Sequence, residues 1–175
     1  PVTQFNFKLY ESDTVIISDS PIKRKTRSNL PILYEDDEII VINKPSGLLS
    51  VASDNEKGST AFRMLSDYVQ QKDKHNRVFV VHRLDEDTSG VLMVAKNVKI
   101  QQALQDNWND IVLKRGYFAI IEGKMDNKQG TIKSYLKKNS QNMMYSSKKP
   151  GDGQLAITNY KEIQSNDNYS LLDVD

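Results

Sequence analysis

Nine consecutive residues of this chain carry a dense set of reactive side chains. His82-Arg83-Leu84-Asp85-Glu86-Asp87-Thr88-Ser89-Gly90 places an imidazole, a guanidinium, three carboxylates and two hydroxyls between two apolar runs. A polar segment held between hydrophobic strands sits on a rigid scaffold, which is where catalytic side chains are commonly carried. Several chemistries are conceivable. A hydrolase built on His82, Asp85 and Ser89 fits poorly, because triad members usually come from separate elements and no nucleophile-elbow pattern is present. A metal site on His82, Asp85 and Asp87 has little support in a chain with two histidines. The plain alternative is a polar turn with no chemistry. Composition alone leaves that open.

The elements that must position this corner can be read from periodicity. Val78 to Val81 is a continuous apolar run leading in, and Gly90 opens a second, Val91-Leu92-Met93-Val94-Ala95, leading out. Upstream, Ile32-Leu33-Tyr34 and Ile39-Ile40-Val41-Ile42 flank Glu35-Asp36-Asp37-Glu38, the pattern of a hairpin. Lys44-Pro45-Ser46-Gly47 then breaks the strand, since proline denies a ladder hydrogen bond and glycine permits positive φ. Thr60 can cap a helix with Phe62, Leu65 and Val69 on one face, and Asn97 a second running to about Trp108. Tyr117 to Ile121 forms a strand closed by Gly123. A polar stretch from Lys137 to Gly153 reads as a long loop or hairpin tip, and strands near Ala156–Ile163 and Tyr169–Val174 complete the chain. Two helices among roughly eight strands, without regular βαβ alternation, predict an α+β fold with a mostly antiparallel sheet and a few flanking helices.

The first 19 residues are expected to form a short β unit, and residues 20–30 read as a linker carrying Lys23, Arg24, Lys25 and Arg27. Both ends enter strand-like runs directly, with no initiating methionine, so a fragment trimmed at both ends is expected. The chain has 175 residues, 38% hydrophobic and 27% charged, the balance of a globular domain. No apolar run is long enough to span a bilayer, and there is no signal-peptide pattern. Cysteine is absent, which excludes disulfides and thiolate metal sites and fits a cytoplasmic location. A net charge of +1 gives no argument for nucleic-acid binding, so any such case rests on local clusters. Lys133, Lys137, Lys138, Lys148 and Lys149, interleaved with Tyr135 and Tyr145, are one: either a solvated loop or a track for phosphates.

The order of residues at the corner decides between the readings. His82-Arg83-Leu84-Asp85 followed by Thr88-Ser89-Gly90 resembles the signature of the RluA branch of the pseudouridine synthases. Asn43-Lys44-Pro45-Ser46-Gly47-Leu48-Leu49 resembles that family's Lys-Pro-x-Gly segment, and Arg115-Gly116-Tyr117-Phe118-Ala119 with Gly123 its tyrosine-bearing strand. The likeness runs in order from about Pro31 to Asp175. Residues 1–19 are similar, more weakly, to the tail of the small RNA-binding domain that often precedes this catalytic domain. One departure stands out: the family's Gly-Arg-x-x-Gln-Ile-Arg type of stretch, which supplies a basic partner for the aspartate, is not in this chain, so its catalytic domain reads as incomplete at the C-terminus.

The resemblance implies an RNA-modifying isomerase that detaches uracil from ribose, rotates it and rejoins it through a ring carbon. Nothing is oxidised and no group leaves, so no cofactor and no metal is required. Asp85 is the implied catalytic residue, acting at the anomeric carbon by attack, by stabilising an oxocarbenium-like species, or by taking a sugar proton. Arg83 is implied to hold the space of a flipped-out base. Tyr117 is implied to stack on the uracil; by itself it reads as a core aromatic. His82 is read either as a phosphate or RNA contact or as a strand-end histidine satisfied by backbone groups. Lys44 and Pro45 are expected to shape a loop under the site. The partner is ribosomal or transfer RNA, with no membrane, and a monomer is the expected state. The rival from another class is an RNA-binding module without catalysis.

Overall fold

The computed structural model describes residues 30–52, 59–139 and 143–175. The expected β unit at residues 1–19 and all but the last residue of the expected linker lie outside them. That last residue, Leu30, is not linker-like: it is buried within the hydrophobic core. The chain divides into two compact units, one ending at Asn107 and one beginning at Trp108.

The first unit holds a four-stranded antiparallel sheet with the order β1-β2-β4-β3, formed by β1 (Ile32–Glu35), β2 (Ile39–Lys44), β3 (Phe79–Val80) and β4 (Gly90–Ala95). The β1–β2 hairpin turns on Asp36, whose Oδ1 accepts the Glu38 and Ile39 amides at 2.8 Å each. An aspartate bonding the backbone two and three residues on mimics a backbone turn. Ile40 pairs with Val94 and Ile42 with Leu92, so the alternation of β2 and β4 sends all four to one face. There they meet Ala61, Leu65 and Val69, one stripe of helix α1 (Ala61–Gln70). Each buried valine, leucine or isoleucine among these contributes about 1.5–3 kcal/mol. Thr60 caps α1 by accepting the Arg63 amide, and Tyr68 ties the helix to β1 by donating to Glu35 Oε2 at 2.7 Å.

Helix α2 (Val98–Asp106) is capped by Asn97, whose side chain accepts the Ile100 amide. The sequence predicts a helix to Trp108. It stops two residues earlier because Asn107 leaves helical geometry and turns its side-chain amide back onto the Ala103 carbonyl. Trp108 instead opens the single-turn helix α3 (Trp108–Ile111) of the second unit.

That unit carries a five-stranded antiparallel sheet, β5-β9-β8-β6-β7. Its strands are β5 (Tyr117–Glu122), β6 (Gln129–Lys138), β7 (Met144–Ser147), β8 (Gln154–Ser165) and β9 (Tyr169–Val174). Much of the polar stretch read as a loop or hairpin tip is ladder: Tyr135 to Lys138 pair with Ser147 to Met144. Gly153 makes the return into β8 possible. Its φ is +127°, and a Cβ there would lie 2.4 Å from the Leu136 carbonyl oxygen. Gly153→Ala is expected to cost roughly 2–3 kcal/mol, through left-side backbone strain and this backbone clash. Urea denaturation of the variant beside Gly151→Ala, where a Cβ would meet open space, separates the clash from the strain. The fold is thus α+β, with every strand pairing among the described residues antiparallel.

Candidate active site

The corner and the loop beneath it come together because of one register. Lys44, the last residue of β2, pairs with Gly90, the first of β4. The chain leaving β2 and the chain about to enter β4 therefore emerge side by side. Residues 45–50 form one layer and residues 81–89 the other.

Four consecutive carbonyls of the corner are bound. Leu84 O accepts the Ser50 hydroxyl at 2.6 Å. Asp85 O accepts the Thr88 amide at 3.2 Å, closing a β-turn. Glu86 O accepts both the Gly47 amide at 3.0 Å and Lys44 Nζ at 2.9 Å. Asp87 O accepts the Ser46 hydroxyl at 2.8 Å. The segment from Lys44 to Ser50 thus holds three of these four carbonyls, while the side chains of Asp85, Glu86 and Asp87 are exposed.

Lys44 is the centre of this arrangement. The residue is fully buried, and its Nζ also donates to Pro45 O at 3.1 Å and Leu48 O at 2.6 Å. An ammonium has three protons, and three carbonyls receive them. Burial pushes its pKa below the ordinary lysine value, while the carboxylates of Asp87, Glu86 and Asp85 act in the opposite direction. The lysine shapes the loop under the site, as its position in the sequence suggests, and in addition places a positive charge among three acidic residues.

Arg83 and Asp85 are exposed on either side of buried Leu84, so the corner is anchored by its apolar residue and presents its charged ones. Among the described residues no hydrogen bond or ion pair reaches the Asp85 carboxylate. The imidazole of His82 is engaged within the scaffold: Nε2 accepts the Met93 amide at 3.1 Å. Continuing the β3–β4 ladder would set Met93 opposite Val81. The histidine takes that amide instead, and Gln105 Nε2 donates to the Val81 carbonyl at 3.2 Å. Side chains therefore end the strand expected at Val78–Val81 after Val80.

Burial lowers the His82 pKa from its ordinary 6.5, with a hydrogen bond to the Arg83 backbone opposing it. The unfolded chain consequently binds this proton before the folded one does. The contribution of His82 to stability is complete above about pH 6.5 and declines as pH falls toward the folded pKa. Urea midpoints measured between about pH 8 and about pH 5 are expected to fall through this window, with a shallower slope in His82→Gln. Equal slopes would show that the buried imidazole does not govern it.

Tyr117 belongs to the second unit. It opens β5, pairs with Val174 and is 44% exposed, which does not suit a fully buried core aromatic. Ser50, only 3% exposed and bonded to Leu84, is a residue of this arrangement that the sequence does not single out. A serine after two leucines gives no signal of its own. Among the described residues, no three His, Cys, Asp or Glu side chains are grouped to hold a metal ion, and no helix is long and apolar enough to cross a membrane.

Residues 38–175 match the family described as RNA pseudouridylate synthase. The chain belongs to the pseudouridine synthases, in their RluA branch. It is 31% identical over 94% of its length to the ribosomal large subunit pseudouridine synthase D of Borreliella burgdorferi, covering 54% of that protein. To the ribosomal large subunit pseudouridine synthase C of Rickettsia felis it is 31% identical over 97% of its length, covering 55%. The chain therefore spans about half the length of these pseudouridine synthases. In fold it is similar to the human RNA pseudouridylate synthase domain containing 4, with a TM-score of 0.65 at 20% identity over 82% of this chain and 57% of that one.

Proposed function

We propose that the corner at residues 82–90 is the catalytic centre of an RNA pseudouridine synthase, and that Asp85 acts at the anomeric carbon of a target uridine. The observation that carries this reading is a carboxylate standing exposed on a backbone whose neighbouring carbonyls are all bound. Such a group is held in place yet open to substrate, as reaction at a sugar carbon demands. The reaction balances without a cofactor: the nitrogen–carbon glycosidic bond breaks, a carbon–carbon bond forms to the same base, and the proton lost from ring carbon five is matched by one taken up at the freed ring nitrogen.

Arg83, exposed beside Asp85, is assigned to the RNA, stacking or bonding where the base has been withdrawn, since a planar guanidinium does both. Tyr117 is assigned to the flipped uracil. Its exposed ring at the start of β5 is consistent with a stacking role. His82 is assigned a supporting part, because its ring accepts a backbone amide of β4. The substrate is a structured RNA, ribosomal or transfer. The names of the relatives favour RNA of the large ribosomal subunit. The domain arrangement we assign is a catalytic domain that begins at the core residue Leu30 and runs to residue 175, preceded by a linker at 20–29 and the tail of an RNA-binding domain at 1–19. The protein acts as a monomer in the cytoplasm.

The test is tritium release from RNA labelled at carbon five of uridine and lacking the modification. It is applied to the 175-residue chain and to the protein made from its complete coding sequence. Release by either supports the assignment. RNA binding with steep salt dependence and no release from both would replace it with a non-catalytic binding module.

A further inference from the structure

We infer that Ser50 is a positioning residue for Asp85, an inference that rests on the catalytic reading of the corner. Its hydroxyl both donates to Leu84 O at 2.6 Å and accepts the Leu84 amide at 3.1 Å. The carbonyl it binds belongs to the peptide joining Leu84 to Asp85. Ser50 holds the peptide plane before Asp85 and the Thr88 amide, on Asp85 O, holds the plane after it. With both planes held, φ and ψ of Asp85 are set, and with them the direction in which its Cα–Cβ bond leaves the backbone.

Ser50 is itself held from the other side. The Phe62 amide donates to Ser50 O at 3.1 Å and the Ala61 amide to Leu49 O at 2.8 Å. These are amides at the first turn of α1, which have no partner within the helix. The loop thus supplies acceptors to the helix start, and the helix in return fixes the backbone that carries the Ser50 hydroxyl. Rigidity passes from the buried stripe of α1 through one side chain to the residue before Asp85. With Ser50 almost wholly buried, water is not available to replace the hydroxyl, so its loss leaves both polar groups of Leu84 without that partner.

The informative variants are Ser50→Thr and Ser50→Val, which have the same shape and differ in whether a hydroxyl is present, with Ser50→Ala as a third that adds no bulk. Three readings are taken in the full-length protein: tritium release at saturating RNA, RNA affinity by filter binding, and hydrogen exchange at the Leu84 amide. Ser50→Val and Ser50→Ala are expected to lower kcat on the order of 100-fold, the effect of a misplacement near 1 Å, with RNA affinity unchanged. Protection of the Leu84 amide falls in both and is retained in Ser50→Thr, which also keeps activity near the parent. Should the threonine prove too large to fold, Ser50→Ala against the parent decides by the same readings.

Unchanged exchange and unchanged kcat in Ser50→Ala would overturn the inference while leaving the synthase reading intact. Equal loss of kcat in the threonine and valine variants, with Leu84 protected in both, would show a packing role and overturn it as well. If the parent protein released no tritium, the catalytic reading would fail first and this inference with it.

Discussion

Asp85→Ala is expected to abolish tritium release, lowering it by ~10,000-fold or more, the scale for removing a group that reacts with substrate. The same substitution should leave the fold and its thermal midpoint almost unchanged. The side chain is exposed, among the described residues nothing bonds to it, and its neighbours are held through backbone atoms that alanine keeps. RNA affinity should also survive, because phosphate contacts dominate binding and come from cations. The diagnostic result is a kcat lost with binding kept. A variant that binds and releases tritium like the parent would remove Asp85 from the chemistry. One that loses binding along with turnover would instead make the carboxylate part of the RNA contact.

The second large effect is on stability. Lys44→Met keeps the length and apolar stem of the lysine but deletes its three donors. The Pro45 and Leu48 carbonyls lose the Lys44 bond, and the Glu86 carbonyl keeps only the Gly47 amide. The three bonds are part-buried; losing them costs about 1–2 kcal/mol each, so a total of about 3–5 kcal/mol is expected. For a chain of this size that lowers the thermal midpoint by about 10 °C or somewhat more. Activity should fall further than stability alone accounts for, since the loop and the corner share Lys44 as their common anchor. Lys44→Arg should not rescue either property: the site is fully buried, and a planar guanidinium cannot point three donors in the directions taken by an ammonium. Differential scanning calorimetry of the three proteins tests this. A midpoint within a degree or two of the parent for Lys44→Met would mean that the three bonds contribute little.

Much of this protein is decided by local sequence. The hairpin over Ile32–Ile42 follows from two apolar runs around an aspartate that can bond its own turn, and the observed pairing turns there. Thr60 and Asn97 begin helices because their short oxygens satisfy amides that a helix cannot satisfy itself. The polar corner between two apolar strands, and Asp85 within it, are visible for the same reason: types and order along the chain are enough. Other features depend on residues far apart in sequence. The strand expected at Val78–Val81 is shortened because His82 and Gln105 compete for its ladder positions. The polar run after Lys137 leaves a loop and a hairpin tip both open in the sequence, and cross-strand partners decide for the hairpin. Lys44 reads as a loop residue in the sequence, and only the register that sets it opposite Gly90 buries its ammonium among three carbonyls. Ser50 has no sequence signal at all, because its meaning lies in a peptide 34 residues away. The sequence by itself determined which residues can react. Tertiary structure decided which residues hold them still, because the hydrogen bonds that do so end on backbone carbonyls, and a backbone carbonyl is the same in every residue type.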